Sequence, residues 1–152
     1  MSIAPEILKE MDIFEFLKLE KLKDIAELAK FEEFKQGNLI FKEGDRAEKI
    51  YMVFEGRVSI EIEIYLRKRV SVYTLAKGSF FGYPSLLRTR KFTTYARCLD
   101  NVKVVSIAVD ELVDKIFKKD CLLGYLVMAR NAELIAKKLA DTRMQLLSLL
   151  QP

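Results

Sequence analysis

The stretch FKEGDRAEKIYMVFEGRVSIEIEIY, residues 41–65, consists of short apolar runs separated by glycines. Its second half alternates apolar and polar residues from Val58 to Tyr65, which is the period of a strand with one buried face. On that strand Glu61 and Glu63 are expected to point outward into solvent. Glycine between short strands is typical of closed or sandwiched antiparallel β structures. The stretch therefore predicts several short antiparallel strands.

The chain changes character twice along its length. Residues 1–30 carry apolar side chains at helical spacing and predict a pair of N-terminal helices. Residues 31–108 predict the strands, and residues 109–152 predict C-terminal helices, the last of which spans about 120–150. We expect a single domain over residues 1–152, mainly β with flanking helices, because this length suits one hydrophobic core.

The composition restricts the function classes. The chain has a formal net charge of +4, no histidine, and two cysteines that lack metal-ligand spacing. Absence of histidine removes histidine acid–base chemistry and the commonest zinc ligand. No apolar run approaches the roughly 18 residues of a membrane span, and the N-terminus lacks a signal-peptide core. We therefore predict a cytoplasmic protein without catalytic or metal chemistry.

The predicted long helix carries a seam of residues spaced alternately by three and four positions. The seam residues are Tyr125, Met128, Ala132, Ile135, Leu139, Thr142, Leu146 and Leu149. Heptad spacing sustained over more than three repeats favours the pairing of two long helices. The pattern therefore predicts a homodimer through this seam. The alternative is that the seam packs on the protein's own β domain.

Two groups of motifs resemble a known family. The first comprises FKEGD (41–45), IYMV (50–53) and GRV (56–58), and the second is LAKGSFFG (75–82). In this order they resemble the cyclic-nucleotide-binding domain family, which includes the effector domain of catabolite activator-type regulators and the regulatory subunits of kinases. The resemblance covers about 10–150. It implies an antiparallel β-roll (a double-stranded β-helix or jelly roll) with N-terminal helices, a long C-terminal helix and a regulatory role.

The resemblance also implies a phosphate-binding cassette at residues 81–95. In the family, a Glu directly after the Phe-Gly pair binds the ribose hydroxyl, and an Arg further along pairs with the cyclic phosphate. Tyr83 and Phe92 stand at these two positions, so both polar anchors are missing. Arg90 and Lys91 are the nearest cations in sequence. The candidate ligand-binding residues are Phe81, Gly82, Tyr83, Ser85, Leu86, Arg90, Lys91, Phe92, Thr93 and Thr94.

Loss of an Arg–phosphate pair inside a pocket removes roughly 2–5 kcal/mol of binding free energy. We therefore predict that ordinary cyclic AMP binding is weakened or absent. The leading hypothesis is a regulatory domain that binds a small anionic or nucleotide-like ligand, with a cyclic nucleotide as one candidate, in a different manner from the family. Ligand binding would then be signalled through the long C-terminal helix to a homodimer mate or to a protein partner.

Two alternatives stay open at this point. A degenerate roll without a ligand would act as a dimerisation or docking module. A pocket plugged by Phe92 would favour this alternative, and an open pocket lined by Arg90 or Arg97 would oppose it. The second alternative is the effector part of a longer transcription regulator. The sequence offers no recognition helix, so we expect no direct DNA binding by this chain and no membrane association.

Overall fold

The structure is a computed structural model that describes residues 2–151. Two short helices come first, followed by eight strands, and three helical segments end the chain. The N-terminal helices are α1 (Pro5–Lys9) and α2 (Leu19–Leu28). The strands are β1 (Lys30–Phe34), β2 (Leu39–Phe41), β3 (Lys49–Glu55), β4 (Val58–Glu63), β5 (Arg69–Leu75), β6 (Phe80–Phe81), β7 (Tyr95–Cys98) and β8 (Val102–Ala108). The last segments are α3 (Val109–Leu112), a π-helical turn (Val113–Phe117) and α4 (Cys121–Leu150).

The strands form two four-stranded antiparallel sheets that enclose a common core. The first sheet has the order β1-β8-β3-β6, and the second has the order β2-β7-β4-β5. Most neighbours within a sheet are distant in sequence, as the winding of a β-roll requires. The arrangement confirms the predicted antiparallel β-roll with N-terminal helices and a long C-terminal helix.

Strand β3 is covered on both faces. Ile50 and Met52 pack beneath the N-terminal helices and the start of α4, whereas Tyr51 and Val53 point between the two sheets. Successive side chains of a strand point to opposite faces, so a strand covered on both sides needs an apolar residue at every position. This is why the sequence shows a continuous apolar run here and alternation in β4.

The first half of α4 is fixed to the rest of the domain. Asp120 caps its N-terminus, because the Asp120 carboxylate accepts the backbone N–H of Leu123 at 3.1 Å. Further along, Arg130 donates to the carbonyl oxygen of Asp12 at 2.9 Å and to the carboxylate of Glu15 at 2.7 Å. Within residues 2–151, no helix combines the length and the apolar character needed to span a membrane.

The predicted alternation from Val58 to Tyr65 is only partly right, because β4 ends at Glu63 and Ile62 and Ile64 are 40% and 45% exposed. Ile60 lies in the core between the sheets, while Glu61 points to the outer face but is only 4% exposed. Arg97 approaches the Glu61 carboxylate to 2.8 Å and Arg69 to 3.9 Å, and the Ser59 hydroxyl donates to it at 3.0 Å. The expectation that Glu61 is solvated is therefore wrong, because arginines from two neighbouring strands cover it.

This cluster makes the stability of the fold depend on pH. Burial raises the pKa of Glu61, but hydrogen bonds from Arg97 and Ser59 and the charges of Arg97 and Arg69 outweigh burial and leave it below its usual value. A carboxyl with a lowered folded pKa stabilises the protein above its unfolded pKa, and the stabilisation is lost as pH falls through the folded value.

We expect Glu61→Gln to lower the free energy of unfolding by about 1.5–3 kcal/mol at neutral pH, because it removes a charge-assisted network. The difference from the wild type should shrink as the pH falls below the ordinary Glu value of about 4.3 and through the lower folded pKa of Glu61, below which the wild-type carboxylate is protonated. Urea unfolding between pH 7 and pH 3 measures both effects. Glu63→Gln, on the exposed end of the same strand, is the matched control and should change stability by less than about 0.5 kcal/mol. A difference that does not vary with pH would contradict this account.

Candidate ligand pocket beneath the long helix

A cavity lies where the roll meets α4. The roll and the cassette supply most of its wall, and α4 closes it with Leu134, Ile135 and Lys138. Six of the ten predicted ligand-binding residues line this cavity. They are Phe81, Gly82, Tyr83, Phe92, Thr93 and Thr94. The cassette predicted from sequence and the long helix therefore share one pocket.

The cassette begins at a glycine that no other residue can replace without strain. Gly82 has a φ of +85°, and a β-carbon there would lie 3.0 Å from the Tyr51 ring and 3.1 Å from the carbonyl oxygen of Lys49. A short 3₁₀ helix, Tyr83–Leu86, follows. The backbone N–H and the hydroxyl of Ser85 both donate to the carbonyl oxygen of Gly82, at 3.1 Å and 2.7 Å. Both donors of Ser85 are therefore used inside the turn and do not face the cavity.

Phe92 occupies the position that the family resemblance assigns to an arginine. Its side chain is 4% exposed and stacks on Phe41, with ring centroids 3.6 Å apart and planes inclined by 6°. The backbone holds it in place, because the Phe92 N–H donates to the Asp45 carbonyl at 3.0 Å and its carbonyl accepts the Gly44 N–H at 2.8 Å. An aromatic ring, and not a cation, thus fills the phosphate end of the pocket.

The cations near the cassette point elsewhere. Arg90 pairs with Asp110 at 2.9 Å, Lys91 is exposed, and Arg97 is bound to Glu61. Neighbouring residues of an extended segment face opposite ways, so an inward Phe92 turns Lys91 outward. The structure therefore places the predicted site residues Arg90 and Lys91 outside the cavity.

Leu86, the other predicted site residue that does not line the cavity, packs against the core cluster beneath the N-terminal helices. Tyr83, three residues earlier in the 3₁₀ helix, packs against the same cluster and also lines the cavity. Together with Ser85, Leu86 forms the structural support of the cassette.

Sequence reasoning missed Lys138. This residue lines the cavity from α4, and its ammonium group lies 4.2 Å from the centroid of the Tyr73 ring. Burial lowers the pKa of Lys138, against the opposing attraction of Asp141. The helical spacing could have indicated this position, because Leu134 and Lys138 are four residues apart and share one face. Ile135, a residue of the heptad seam, lines the same cavity three positions before Lys138.

The cavity is small. Its volume is about 50 Å³, whereas pockets that bind drug-sized ligands measure roughly 300–1,000 Å³. The buried aromatic side chains of Phe41, Phe81 and Phe92 form part of its wall. The geometry favours a ligand smaller than a nucleotide, or none.

The family model of the cyclic nucleotide-binding domain matches residues 31–119, more than half of the chain. The chain belongs to this family. The match confirms the resemblance drawn from the glycine-bounded motifs and identifies a regulatory ligand-binding class of domain. It covers the roll, the cassette and the start of the C-terminal helices.

Three relatives illustrate the range of the family. A protein of Geobacter metallireducens GS-15, designated as cyclic nucleotide-binding, is 30% identical, with a TM-score of 0.77 over 90% of this chain and 98% of that one. The catabolite activator protein of Thermus thermophilus is 23% identical, with a TM-score of 0.75 over 90% of this chain and 63% of that one. The cAMP-dependent protein kinase regulatory subunit of Candida albicans is 24% identical over 102 residues, or 67% of this chain. The chain spans only 21% of the length of that subunit.

We expect Phe92→Ala to lower the free energy of unfolding by about 3–5 kcal/mol, because it removes a buried ring and leaves a cavity against Phe41. Chemical unfolding monitored by circular dichroism measures the loss. Tyr65→Ala is the control, since Tyr65 is 84% exposed and its truncation should cost less than about 0.5 kcal/mol. Equal costs for the two variants would mean that the ring of Phe92 is not packed as described.

Proposed function

We propose that this chain is a cytoplasmic, non-enzymatic regulatory module that acts through α4. Its pocket is shaped so that it does not bind cyclic nucleotides. The stack of Phe92 on Phe41 carries the proposal. It puts an apolar ring where a bound phosphate would need a cation, and an unpaired phosphate in such surroundings is strongly disfavoured. Tyr83 likewise replaces the carboxylate that would accept the ribose hydroxyl. We therefore expect any ligand of this pocket to be smaller than a nucleotide.

The wall contributed by α4 supports a role for the helix in signalling. Leu134, Ile135 and Lys138 contact the same cavity as the cassette residue Tyr83. A ligand that interacts differently with the docked and undocked helix shifts the balance between the two states. That difference in free energy is what couples the pocket to whatever binds the rest of α4.

The exposed part of α4 supports the predicted homodimer. The seam residues Tyr125, Leu139, Leu146 and Leu149 are between 51% and 82% exposed. The face that packs on the domain is a different one, carried by Leu123, Val127 and Asn131. Of the seam, Ile135 is turned towards the cavity, so pairing would rest mainly on the end of the helix.

The small cavity also favours a second candidate, a roll that binds no ligand and serves only as a docking module. The two candidates share the helix pairing and differ in whether a small molecule changes it. Either one is compatible with a longer regulator, because the chain covers 63% of the Thermus thermophilus catabolite activator protein. A ligand-dependent change in stability separates them.

We expect wild-type protein to show no binding of cyclic AMP or cyclic GMP at micromolar concentrations in isothermal titration. The double variant Tyr83→Glu, Phe92→Arg should bind in the micromolar range, because it restores a bidentate cation for the phosphate and an acceptor for the ribose. Without ligand the double variant should be less stable than the wild type, since its arginine lacks a partner.

The matched control is Tyr83→Glu, Phe92→Ala, which opens the same space without adding a cation and should not bind. Micromolar binding by the wild type would contradict the proposal outright. If neither the wild type nor the double variant binds, Phe92 and Tyr83 are not the residues that exclude the nucleotide.

We expect Leu146→Asp to convert a dimer into a monomer in sedimentation equilibrium, because it places a charge in an apolar helix seam. Met144→Asp is the control, since Met144 is 66% exposed but lies outside the seam. Dissociation by both substitutions would indicate a different interface, and a monomeric wild type would contradict the homodimer.

A further inference from the structure

Lys138 is the cation that the pocket presents to a ligand. Its ammonium group lies against the Tyr73 ring at 4.2 Å, and it belongs to none of the ion pairs formed among residues 2–151. A half-buried ammonium without a carboxylate partner gains free energy from an anion that can reach it. The contrast with Arg90 and Arg97 is clear, because both of these cations already hold carboxylates.

The rest of the wall selects against a purely inorganic anion. Around the ammonium group the cavity is lined by aromatic and aliphatic side chains, among them Phe41, Phe92 and Ile135. Such a surface favours a ligand with an apolar part that leaves water on binding. The side chains of Thr93 and Thr94 add hydroxyl donors at the cassette side of the same cavity.

The volume limits the length of the apolar part. A cavity of roughly 150 Å³ holds a benzene ring, whereas this one measures about 50 Å³. This volume favours a chain of a few carbon atoms over an aromatic ring.

We propose that the pocket binds a short-chain aliphatic carboxylate, with the carboxylate on Lys138 and the alkyl chain against the Phe41–Phe92 stack. The inference rests on the proposed function, because it names the ligand of the same regulatory pocket. It adds that the cation belongs to α4 and not to the roll. The ligand thus bridges the two parts of the molecule and holds the helix in its docked position.

The test uses sodium propionate on the full chain, with sodium chloride at matched ionic strength as the reference. Propionate should raise the thermal midpoint of the wild type in a dose-dependent manner and should give a saturable signal in ligand-observed NMR. Propionamide has nearly the same shape without the charge, so it should neither raise the thermal midpoint nor give a saturable NMR signal. Lys138→Met should weaken propionate binding at least tenfold, because it keeps the apolar stem and removes the cation.

Lys137→Met is the control, since Lys137 is an exposed neighbour on the same helix and its loss should leave propionate binding unchanged. Equal binding by the wild type and Lys138→Met, or equal binding of propionate and propionamide, would overturn the inference. So would the absence of any response in folded wild type. If that occurs while Tyr83→Glu, Phe92→Arg gains cyclic AMP binding, the regulatory proposal survives and only the ligand class is wrong.

Discussion

The stack of Phe92 on Phe41 joins the end of the cassette to β2, and the character of the site depends on it. Two rings at 3.6 Å separation, both nearly excluded from solvent, form a dry surface in which an unpaired charge would be costly. The backbone of Phe92 is hydrogen-bonded on both sides, to Asp45 and to Gly44. The ring is therefore part of the core as well as the floor of the pocket.

The electrostatics follow from this constraint. Lys91, the neighbour of the inward-facing Phe92, is exposed, and Arg90 pairs with Asp110. On β7, Arg97 is bound to the buried carboxylate of Glu61 and supports the fold. What remains for the cavity is Lys138, which reaches it from the helix. The cation of this pocket therefore lies on α4, which closes the cavity, and not on the roll.

Sequence reasoning predicted the parts of this site that obey local rules. Gly82 was recognisable because glycines between short runs indicate turns with a positive φ, and its φ is +85°; Phe92 was recognisable because it stands where the family resemblance implies a cation. The fold followed from short runs and turns in the same way. Sequence could not tell that Glu61 is covered, since its burial depends on arginines from other strands. It could not place Lys138 either, because the rotation of α4 on the roll is set by distant contacts such as Arg130 with Asp12.

The position of the cation also decides what kind of signal the module can produce. A cation on the roll would bind its anion whether or not α4 is docked, and a ligand with equal affinity for both states shifts nothing. A cation on α4 faces the cavity only while the helix is docked, so an anion bound there necessarily favours that state. The contacts of Arg130 fix only the first half of the helix. Lys138 lies between this support and the hydrogen bond from Gln145 to the carbonyl oxygen of Val72 at 3.4 Å, so in the proposed function an anion on Lys138 would strengthen the docking of the part of α4 that carries the exposed seam.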